Sequence, residues 1–320
     1  MSNQLLEKIE TCENIGIAAH IRPDGDAVGS CFALSNYIKE NYPDKNVKVF
    51  LEDIPASLEF LVDEEALHSS KDSFDLFVSL DCGDTDRLGK AYEVFEKTPA
   101  TLNIDHHISN TMFGDEQIVK GDASSTCEIL CDLLPMDQIS QKCATCLYTG
   151  IIHDTGVFKH SNTGEKTMAY AGALMEKGIP FGKIIDESFY QKTYRQLQIL
   201  GRCLLESVRI LDGTCIFSIV SRRTMEFYQT KNSDLDGVID ELRTTEGVEV
   251  AILLTEIDNL EYKVSMRSND YVDVSKIAVF FNGGGHVKAA GCTIKGAAFD
   301  VINNLTEHIE KQILAHEQNQ

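Results

Sequence analysis

Aspartate and histidine side chains are concentrated in four short segments of the first half of the sequence. The residues of these segments that could bind a metal are His20, Asp24, Asp26, Asp81, Asp105, His106, His107 and Asp154. A set of carboxylate oxygens and imidazole nitrogens, with no cysteine among them, suits a divalent ion that accepts both kinds of ligand. Mn²⁺ fits this set best, and Mg²⁺ or Co²⁺ could substitute for it. The ligands are numerous enough for two ions, and a pair of ions about 3.5–4 Å apart is a common arrangement for phosphoryl transfer.

Each segment also has an ordinary structural explanation when it is taken alone. An aspartate directly after a strand commonly caps a helix or forms a turn, and Asp-Gly is a common turn dipeptide. Four independent turns, however, are not expected to place carboxylates and imidazoles on one edge of one sheet by chance. In the first segment Pro23 stiffens the loop, and we expect Gly25 to let the backbone turn sharply so that Asp24 and Asp26 converge.

The apolar pattern between these segments predicts the elements that position them. Strands are predicted at residues 14–20, 47–51, 75–81 and 100–105, and helices at 27–42, 87–96 and 124–134. Such alternation is typical of an α/β domain with a doubly wound, mainly parallel sheet. Three of the four segments then follow strands directly, at the sheet edge where such folds bind ligands, and Asp154 ends an apolar helix.

The second half of the chain has a different pattern. Residues 180–205 are helical in pattern, strands are predicted at 215–220, 248–257 and 261–266, and helices at 274–281 and 299–315. This pattern predicts a smaller α+β domain. The domain boundaries that follow are a metal-binding domain at 1–185, a helical linker at 186–205 and a second domain at 206–320, with the active site in the cleft between the two domains.

The charge balance restricts the substrate. The chain has 29 basic and 50 acidic residues and a net charge of −21. A protein that grips long nucleic acid by its phosphates needs a basic face, so this balance argues against a long polymer as partner. It does not argue against a small phosphorylated substrate, because bound divalent ions can dominate the local field.

The same composition predicts a cytoplasmic protein with no membrane partner. The N-terminal residues lack a basic stretch followed by an apolar core, and no apolar run approaches the about 20 residues that cross a bilayer. The ten cysteines are expected to be reduced, small, buried residues. Cys143 and Cys146 have C-x-x-C spacing, but they lie in a helical pattern without a second pair of ligands, so a zinc or redox role is not expected.

The four segments with potential metal ligands, taken together in order, resemble the four motifs of the DHH phosphoesterase family. The first reads His-x-x-Pro-Asp-Gly-Asp-Ala-x-Gly-Ser from His20, and the third is Asp-His-His from Asp105. In the second half, the segments 265–268 and 283–291 resemble the signature of the DHH-associated C-terminal domain. The resemblance covers nearly the whole chain, and the two-domain build resembles the NrnA-type nanoRNases that also dephosphorylate 3′-phosphoadenosine 5′-phosphate (pAp). One departure is Asn282, where the family often has glycine, and Asn tolerates positive φ better than most residues.

The resemblance implies a role for each residue of the metal centre. One ion would be held by His20, Asp24 and Asp81, and the other by Asp26, Asp81, His106 and Asp154, so that Asp81 bridges them. His107 would face the substrate phosphate, which makes His107 and Asp81 the catalytic residues, and Asp105 would stand behind the ligands and fix the orientation of their loop.

The resemblance also implies a substrate-binding role for residues of the second domain. Those residues are Arg267, Ser268, Gly284, Gly285 and His286. Independently of the family, the glycine run from Gly283 would let main-chain N–H groups approach a phosphate closely. Arg22 and Arg87 are interpreted as solvated surface residues.

The function that follows is the hydrolysis of short oligoribonucleotides and of pAp by a Mn²⁺-dependent phosphoesterase. An enzyme for cyclic di-AMP or linear dinucleotides is an alternative, because it needs the same metal centre and differs only in the shape of its cleft. A manganese inorganic pyrophosphatase would need a denser cationic second domain than Arg267, His286 and Lys288 provide. A catalytically idle nucleotide sensor would have no need for an intact ligand set. The expected partners are short RNA or small nucleotide phosphates, and a homodimer is compatible with the sequence.

Overall fold

The computed structural model describes residues 3–318, which divide into two compact units between Gln191 and Lys192. The predicted linker at 186–205 spans this division. Its C-terminal part forms helix α9 (Tyr194–Leu205), whose Ile199 and Cys203 belong to an apolar cluster of the second unit.

The first unit is built on a five-stranded parallel sheet. Its strands are β1 (Asn14–Ala18), β2 (Asn46–Phe50), β3 (Leu76–Leu80), β4 (Thr101–Asp105) and β5 (Glu116–Val119), in the order β2-β1-β3-β4-β5. The four predicted strands and the parallel α/β class are confirmed. Strand β5 was not predicted, because it is four residues long, begins with two polar residues and lies half-buried at the sheet edge.

Helices surround this sheet. They are α1 (Gln4–Thr11), α2 (Gly25–Asn41), α3 (Glu64–Leu67), α4 (Tyr92–Phe95), α5 (Thr126–Leu133), α6 (Gln141–Asp154), α7 (Glu165–Met175) and α8 (Phe181–Ile185). Helices α2 and α6 pack closely, since a β-carbon at Gly29 would lie 2.6 Å from the carbonyl oxygen of Cys146. The predicted continuous helix at 87–96 is wrong: Gly89, with φ 56° and ψ −131°, interrupts a 3₁₀ segment (Thr85–Ala91), and α4 begins only at Tyr92.

The second unit is a mixed sheet with helices, which confirms the smaller α+β domain. Its strands are β6 (Val208–Ile210), β7 (Cys215–Val220), β8 (Val250–Asp258), β9 (Glu261–Ser268), β10 (Gly284–His286) and β11 (Ala289–Lys295). The order is β10-β11-β9-β8-β7-β6, and only the β7–β8 pair is parallel. Besides α9, the helices are α10 (Arg222–Tyr228), α11 (Val238–Arg243), α12 (Val274–Phe280) and α13 (Ala298–Glu317). Strands β6, β10 and β11 and helices α10 and α11 were not predicted, because all of them are seven residues or shorter.

The cysteines behave as core residues. Nine of the ten are buried, including Cys143 and Cys146 within α6, and all ten carry free thiols. Over residues 3–318, no helix is both long enough and apolar enough to traverse a lipid bilayer.

Candidate metal centre

The ends of three neighbouring strands bring the predicted residues together. His20 follows β1, Asp81 follows β3, and Asp105 ends β4, with His106 and His107 directly after it. Strand β1 pairs with β3 and β3 with β4, all in parallel, so these strand ends lie at one edge of the sheet. The chain order reverses between β1 and β3, because β2 lies on the other side of β1. Open α/β sheets bind ligands in the crevice at such a reversal.

The potential ligand atoms form three overlapping groups. The groups are His20, Asp24 and Asp81; Asp26, His106 and Asp154; and Asp81, His106 and His107, with all atoms of a group within 4.8 Å of one another. Asp81 joins two of these groups. Its Oδ2 atom lies 3.5 Å from Nε2 of His20, while its Oδ1 atom lies 3.5 Å from Nε2 of His106. The two oxygens of this carboxylate therefore face two different imidazoles.

Asp24 uses one oxygen for the fold and leaves the other for the site. Its Oδ1 atom accepts hydrogen bonds from the main-chain N–H groups of Asp26 and Ala27, both at 3.1 Å, and so caps α2. Its Oδ2 atom lies 3.7 Å from Nε2 of His20. The helix cap and the potential ligand are thus the same side chain.

Gly25 serves a different purpose from the one expected. Its φ is not in the positive range, so it does not provide a special turn. A β-carbon at Gly25 would instead lie 2.1 Å from Cγ of His153. Gly25 therefore lets the start of α2 approach the end of α6, where Asp154 lies.

The N-terminus of α5 holds Asp26. This carboxylate has no exposed surface and accepts hydrogen bonds from the main-chain N–H groups of Thr126, at 2.6 Å, and Cys127, at 2.9 Å. Unpaired N–H groups at a helix start favour an anion. Burial raises the pKa of Asp26, and the nearby carboxylates of Asp81 and Asp154 raise it further. Residue patterns could not reveal the Thr126 and Cys127 contacts, because these residues follow Asp26 by about a hundred positions.

Asp81 stands in a rare backbone conformation. Its φ is 51°, in the left-handed region that non-glycine residues seldom adopt. The side chain is only 2% exposed, and the hydroxyl of Thr126 donates to its Oδ1 atom at 3.3 Å. Such conformations are concentrated at functional sites.

Asp105 orients the two histidines that follow it. Its Oδ1 atom accepts from the main-chain N–H of His106 at 2.8 Å and from Nδ1 of His107 at 2.7 Å. Its Oδ2 atom accepts from the amide of Asn110 at 2.6 Å, and Asn110 in turn donates to Asn103 at 2.8 Å. Sequence reasoning missed both asparagines, although Asn103, a polar residue inside an apolar strand, was a usable signal.

The charges of the site suit bound divalent cations. Burial by itself would lower the pKa of His20, but the nearby carboxylates of Asp24 and Asp81 raise it to about 10. Burial by itself would also lower the pKa of His106, but the nearby carboxylates of Asp154 and Asp81 raise it to about 11. The first two groups contain four carboxyl groups and two imidazoles, so the carboxyl groups outnumber the imidazoles. Divalent ions would compensate the negative charge of ionised carboxyl groups and use the same oxygen and nitrogen atoms.

In the second unit, some of the predicted substrate residues share a surface. Arg267, Gly284 and Gly285 line one open depression of about 680 Å³. Asn282 at its rim has φ 57°, as expected of an asparagine in a position often held by glycine. The Arg267 Nε atom lies 3.8 Å from a carboxylate oxygen of Asp240, and His286 is exposed at the end of β10.

The structure places Ser268 differently from the other predicted substrate residues. The side chain is 3% exposed, and its hydroxyl donates to the carbonyl oxygens of Val272, at 2.7 Å, and Val287, at 3.4 Å. Ser268 therefore joins the segments behind the depression instead of presenting its hydroxyl to a ligand.

Comparison with known proteins agrees with this geometry. Residues 14–151 match the DHH family, N-terminal domain, and residues 214–314 match the DHHA1 domain. The chain is 28% identical to a Bacillus subtilis protein named bifunctional oligoribonuclease and PAP phosphatase NrnA, over 99% of this chain and all of that protein. It is 30% identical to the Thermus thermophilus protein of the same name, over 89% of this chain and 86% of that protein.

A solved structure agrees with the fold. The exopolyphosphatase-related protein from Bacteroides fragilis superposes with a TM-score of 0.81 at 24% identity, over 96% of this chain and 94% of that chain. In the present chain, a parallel α/β unit with a His/Asp cluster at its strand ends is followed by a mixed-sheet unit. The chain belongs to the DHH family of hydrolases, with a DHH domain followed by a DHHA1 domain.

Proposed function

We propose that this protein is a Mn²⁺-dependent phosphoesterase that hydrolyses short oligoribonucleotides and pAp. The observation that supports this most directly is the joining of three His/Asp groups through Asp81 and His106 at one edge of the parallel sheet. Relatives similar over nearly the whole chain bear names that state both activities. Their likeness supports the substrate class, and the ligand cluster supports the chemistry.

We assign the potential ligands to two ions. His20, Asp24 and Asp81 would hold one ion, and Asp26, Asp81, His106 and Asp154 the other. Ions bound there would activate a water molecule as nucleophile and offset negative charge on the phosphoryl oxygens. The chain's own contribution is to fix the ligands in advance: the start of α5 holds Asp26, and the N-cap of α2 holds Asp24.

His107 would contact the phosphate that is hydrolysed. Its Nδ1 atom is engaged by Asp105, which leaves Nε2 on the opposite side of the ring to meet a substrate oxygen. The hydrogen bond from Asp105 raises the pKa of His107, so the imidazole favours the protonated form that donates to an anion. A donor fixed before the reaction stabilises charge that develops in the transition state.

The substrate would be short. The net charge of −21 leaves no evident basic surface for a long strand. We assign substrate binding in the second unit to Arg267, the loop from Gly284 and His286, which together can hold a terminal nucleotide but offer no repeated set of phosphate contacts.

One substrate panel tests the proposal. The Mn²⁺-loaded protein is incubated with pAp, an RNA series from two to about thirty nucleotides, cyclic di-AMP and inorganic pyrophosphate, and kcat/KM is compared. We expect the highest values for pAp and for RNA of two to about five nucleotides. A preference for cyclic di-AMP or for pyrophosphate would replace the proposed substrate class, and turnover in a metal-stripped sample would reject the metal chemistry.

A further inference from the structure

The first unit contains a cavity next to the metal centre, on the side of β2. Its volume is about 560 Å³, within the usual range of about 300–1,000 Å³ for small-molecule sites. It shares His20 with the metal centre. The cavity floor is apolar and less than a tenth exposed, and it consists of Ala19, Val49, Leu51, Leu88 and Ala91.

Arg22 lines the same cavity and differs from the other cations there. Lys90 is paired with Glu52 at 2.8 Å, and Lys48 donates to the carbonyl oxygen of Lys71 at 3.0 Å. Over the part of the chain that the structure describes, the Arg22 guanidinium has no hydrogen-bond or ion-pair partner. A free guanidinium offers five N–H donors in a planar fork that matches the oxygens of a phosphate.

The main chain fixes the loop that carries Arg22. The N–H group of Ile21 donates to the carbonyl oxygen of Arg87 at 2.7 Å, and a β-carbon at Gly89 would lie 2.5 Å from Cγ2 of Ile21. Arg22 itself has φ 56°, which non-glycine residues rarely adopt. The surrounding structure therefore imposes this conformation, as it commonly does where a side chain must meet a ligand.

We propose that this cavity is a nucleotide subsite, in which the apolar floor takes the base and Arg22 binds a phosphate that is not hydrolysed. The proposal rests on the proposed function, since it assigns the cavity to the same substrate. An apolar floor matches the flat face of a base. Arg22 lies two positions from His20, a chain distance of at most about 7 Å, so one ligand can reach both residues. Bare pyrophosphate has no group for the apolar floor, which makes the cavity a means of selecting nucleotides.

Binding of two probes separates the base from the phosphate. Dissociation constants of AMP and ribose 5-phosphate are measured by calorimetry on the full chain in Ca²⁺, for the wild type and for Arg22→Ala, Ala91→Met and Arg223→Ala. We expect Arg22→Ala to weaken both ligands by about tenfold or more. Ala91→Met, which fills the floor, should weaken AMP by about tenfold and ribose 5-phosphate by less than about twofold. Arg223→Ala removes an exposed arginine from the other unit and should change neither.

Activity on a substrate without a base provides the second readout. With Mn²⁺, we expect Arg22→Ala and Ala91→Met to raise KM for pAp while leaving the hydrolysis of bis(p-nitrophenyl) phosphate within about twofold of the wild type. Should Ala91→Met fail to fold, Leu67→Trp fills the cavity from its half-buried wall.

Equal losses on both substrates in Arg22→Ala would overturn the proposal, because Arg22 would then support the loop that carries the potential metal ligands. Unchanged AMP binding in both cavity variants would also overturn it. A wild type that binds AMP through Arg22 but hydrolyses neither pAp nor RNA would reject the proposed function and keep the subsite.

Discussion

Nδ1 of His107 lies 2.7 Å from Oδ1 of Asp105, a carboxylate with no exposed surface. Asp105 is not in any of the three potential ligand groups of residues 3–318, so its influence on the site passes through His107 and the main chain of His106. The pair fixes which ring nitrogen of His107 is available to a substrate. This arrangement leads to the first prediction.

Asp105→Asn should lower kcat by about 10–100-fold, with a smaller change in KM. The amide can present an N–H group to Nδ1 of His107, so the ring loses the partner that sets its orientation. Kinetics with pAp and the Mn²⁺ content of the purified variant measure the two effects. We expect the metal content to remain that of the wild type, since Asp105 is assigned no metal contact.

Asp115→Asn is the matched control for this variant. Asp115 lies just ahead of β5 and accepts from the main-chain N–H and the hydroxyl of Thr101, at 2.9 and 2.7 Å, at the start of β4. The loss of this support should lower the melting temperature and leave kcat unchanged. An equal loss of kcat in both variants would mean that Asp105 acts only on the stability of β4.

Asp81→Ala should lose more activity than any change of a residue assigned to one ion. Its two oxygens face His20 and His106, so its removal disturbs both ligand sets at once. We expect a loss of several orders of magnitude in kcat, on the order of 10³-fold or more. Asp24→Ala, which also removes the cap of α2, is the comparison.

The response of stability to metal gives Asp81→Ala a second readout. Mn²⁺ should raise the melting temperature of the wild type, because ions that bind only the folded state stabilise it. The rise should be much smaller in Asp81→Ala. A variant that keeps a tenth of the wild-type kcat and the full thermal response would mean that Asp81 does not join the ions.

The sequence predicted those parts of the site that depend on strand ends and on short spacings. Asp24, Asp26, Asp81 and the Asp105–His107 segment follow predicted strands, and one edge of a parallel sheet is enough to bring them together. The parts that depend on long-range packing could not be predicted from the sequence. The α5 N–H groups that hold Asp26 lie 100 and 101 positions away from it.

Local backbone angles and close contacts could also not be predicted from residue patterns. The positive φ angles of Arg22 and Asp81 are imposed by their surroundings, since neither residue prefers them. Gly25 was expected to serve a turn, but it makes room for His153, a residue of another helix. A glycine that permits close packing and a glycine that permits a turn look the same in one sequence.

A half-buried carboxylate away from the metal centre should make stability depend on pH. Asp132 on α5 accepts hydrogen bonds from Lys120, Lys166 and the hydroxyl of Tyr170. Burial alone would raise the pKa of Asp132, but these donors hold it below its ordinary value. A carboxyl group whose pKa is lower in the folded state stabilises the fold above its unfolded pKa, near about 3.9, and loses that effect as the pH falls through the folded value.

Asp132→Asn should therefore lower the free energy of unfolding by about 1–2 kcal/mol at pH 7. The difference from the wild type should shrink at pH 3, where the wild-type carboxylate begins to be protonated. Urea unfolding at the two pH values measures it. Asp137→Asn, at an exposed aspartate, is the control and should show little difference at either pH. A difference that does not depend on pH would show that packing, and not charge, is what Asp132 contributes.

The dependence of activity on substrate length tests the second unit as well as the first. Arg267 and the glycine loop line one depression of limited size, and the net charge of −21 gives no basic track beyond it. We expect kcat/KM to be highest for mononucleotides and for RNA of two to about five nucleotides, to fall steeply with length, and to depend only weakly on salt because few phosphates are neutralised.

Arg267→Ala should raise KM if its contact is equally strong in the ground and transition states, and should lower kcat if the contact tightens on the developing charge. Lys295→Ala, at an exposed lysine at the far end of β11, is the control that removes one positive charge from the same unit. Degradation of a strand of about thirty nucleotides as efficiently as a dinucleotide, with a steep salt dependence, would instead indicate an exonuclease that tracks long strands.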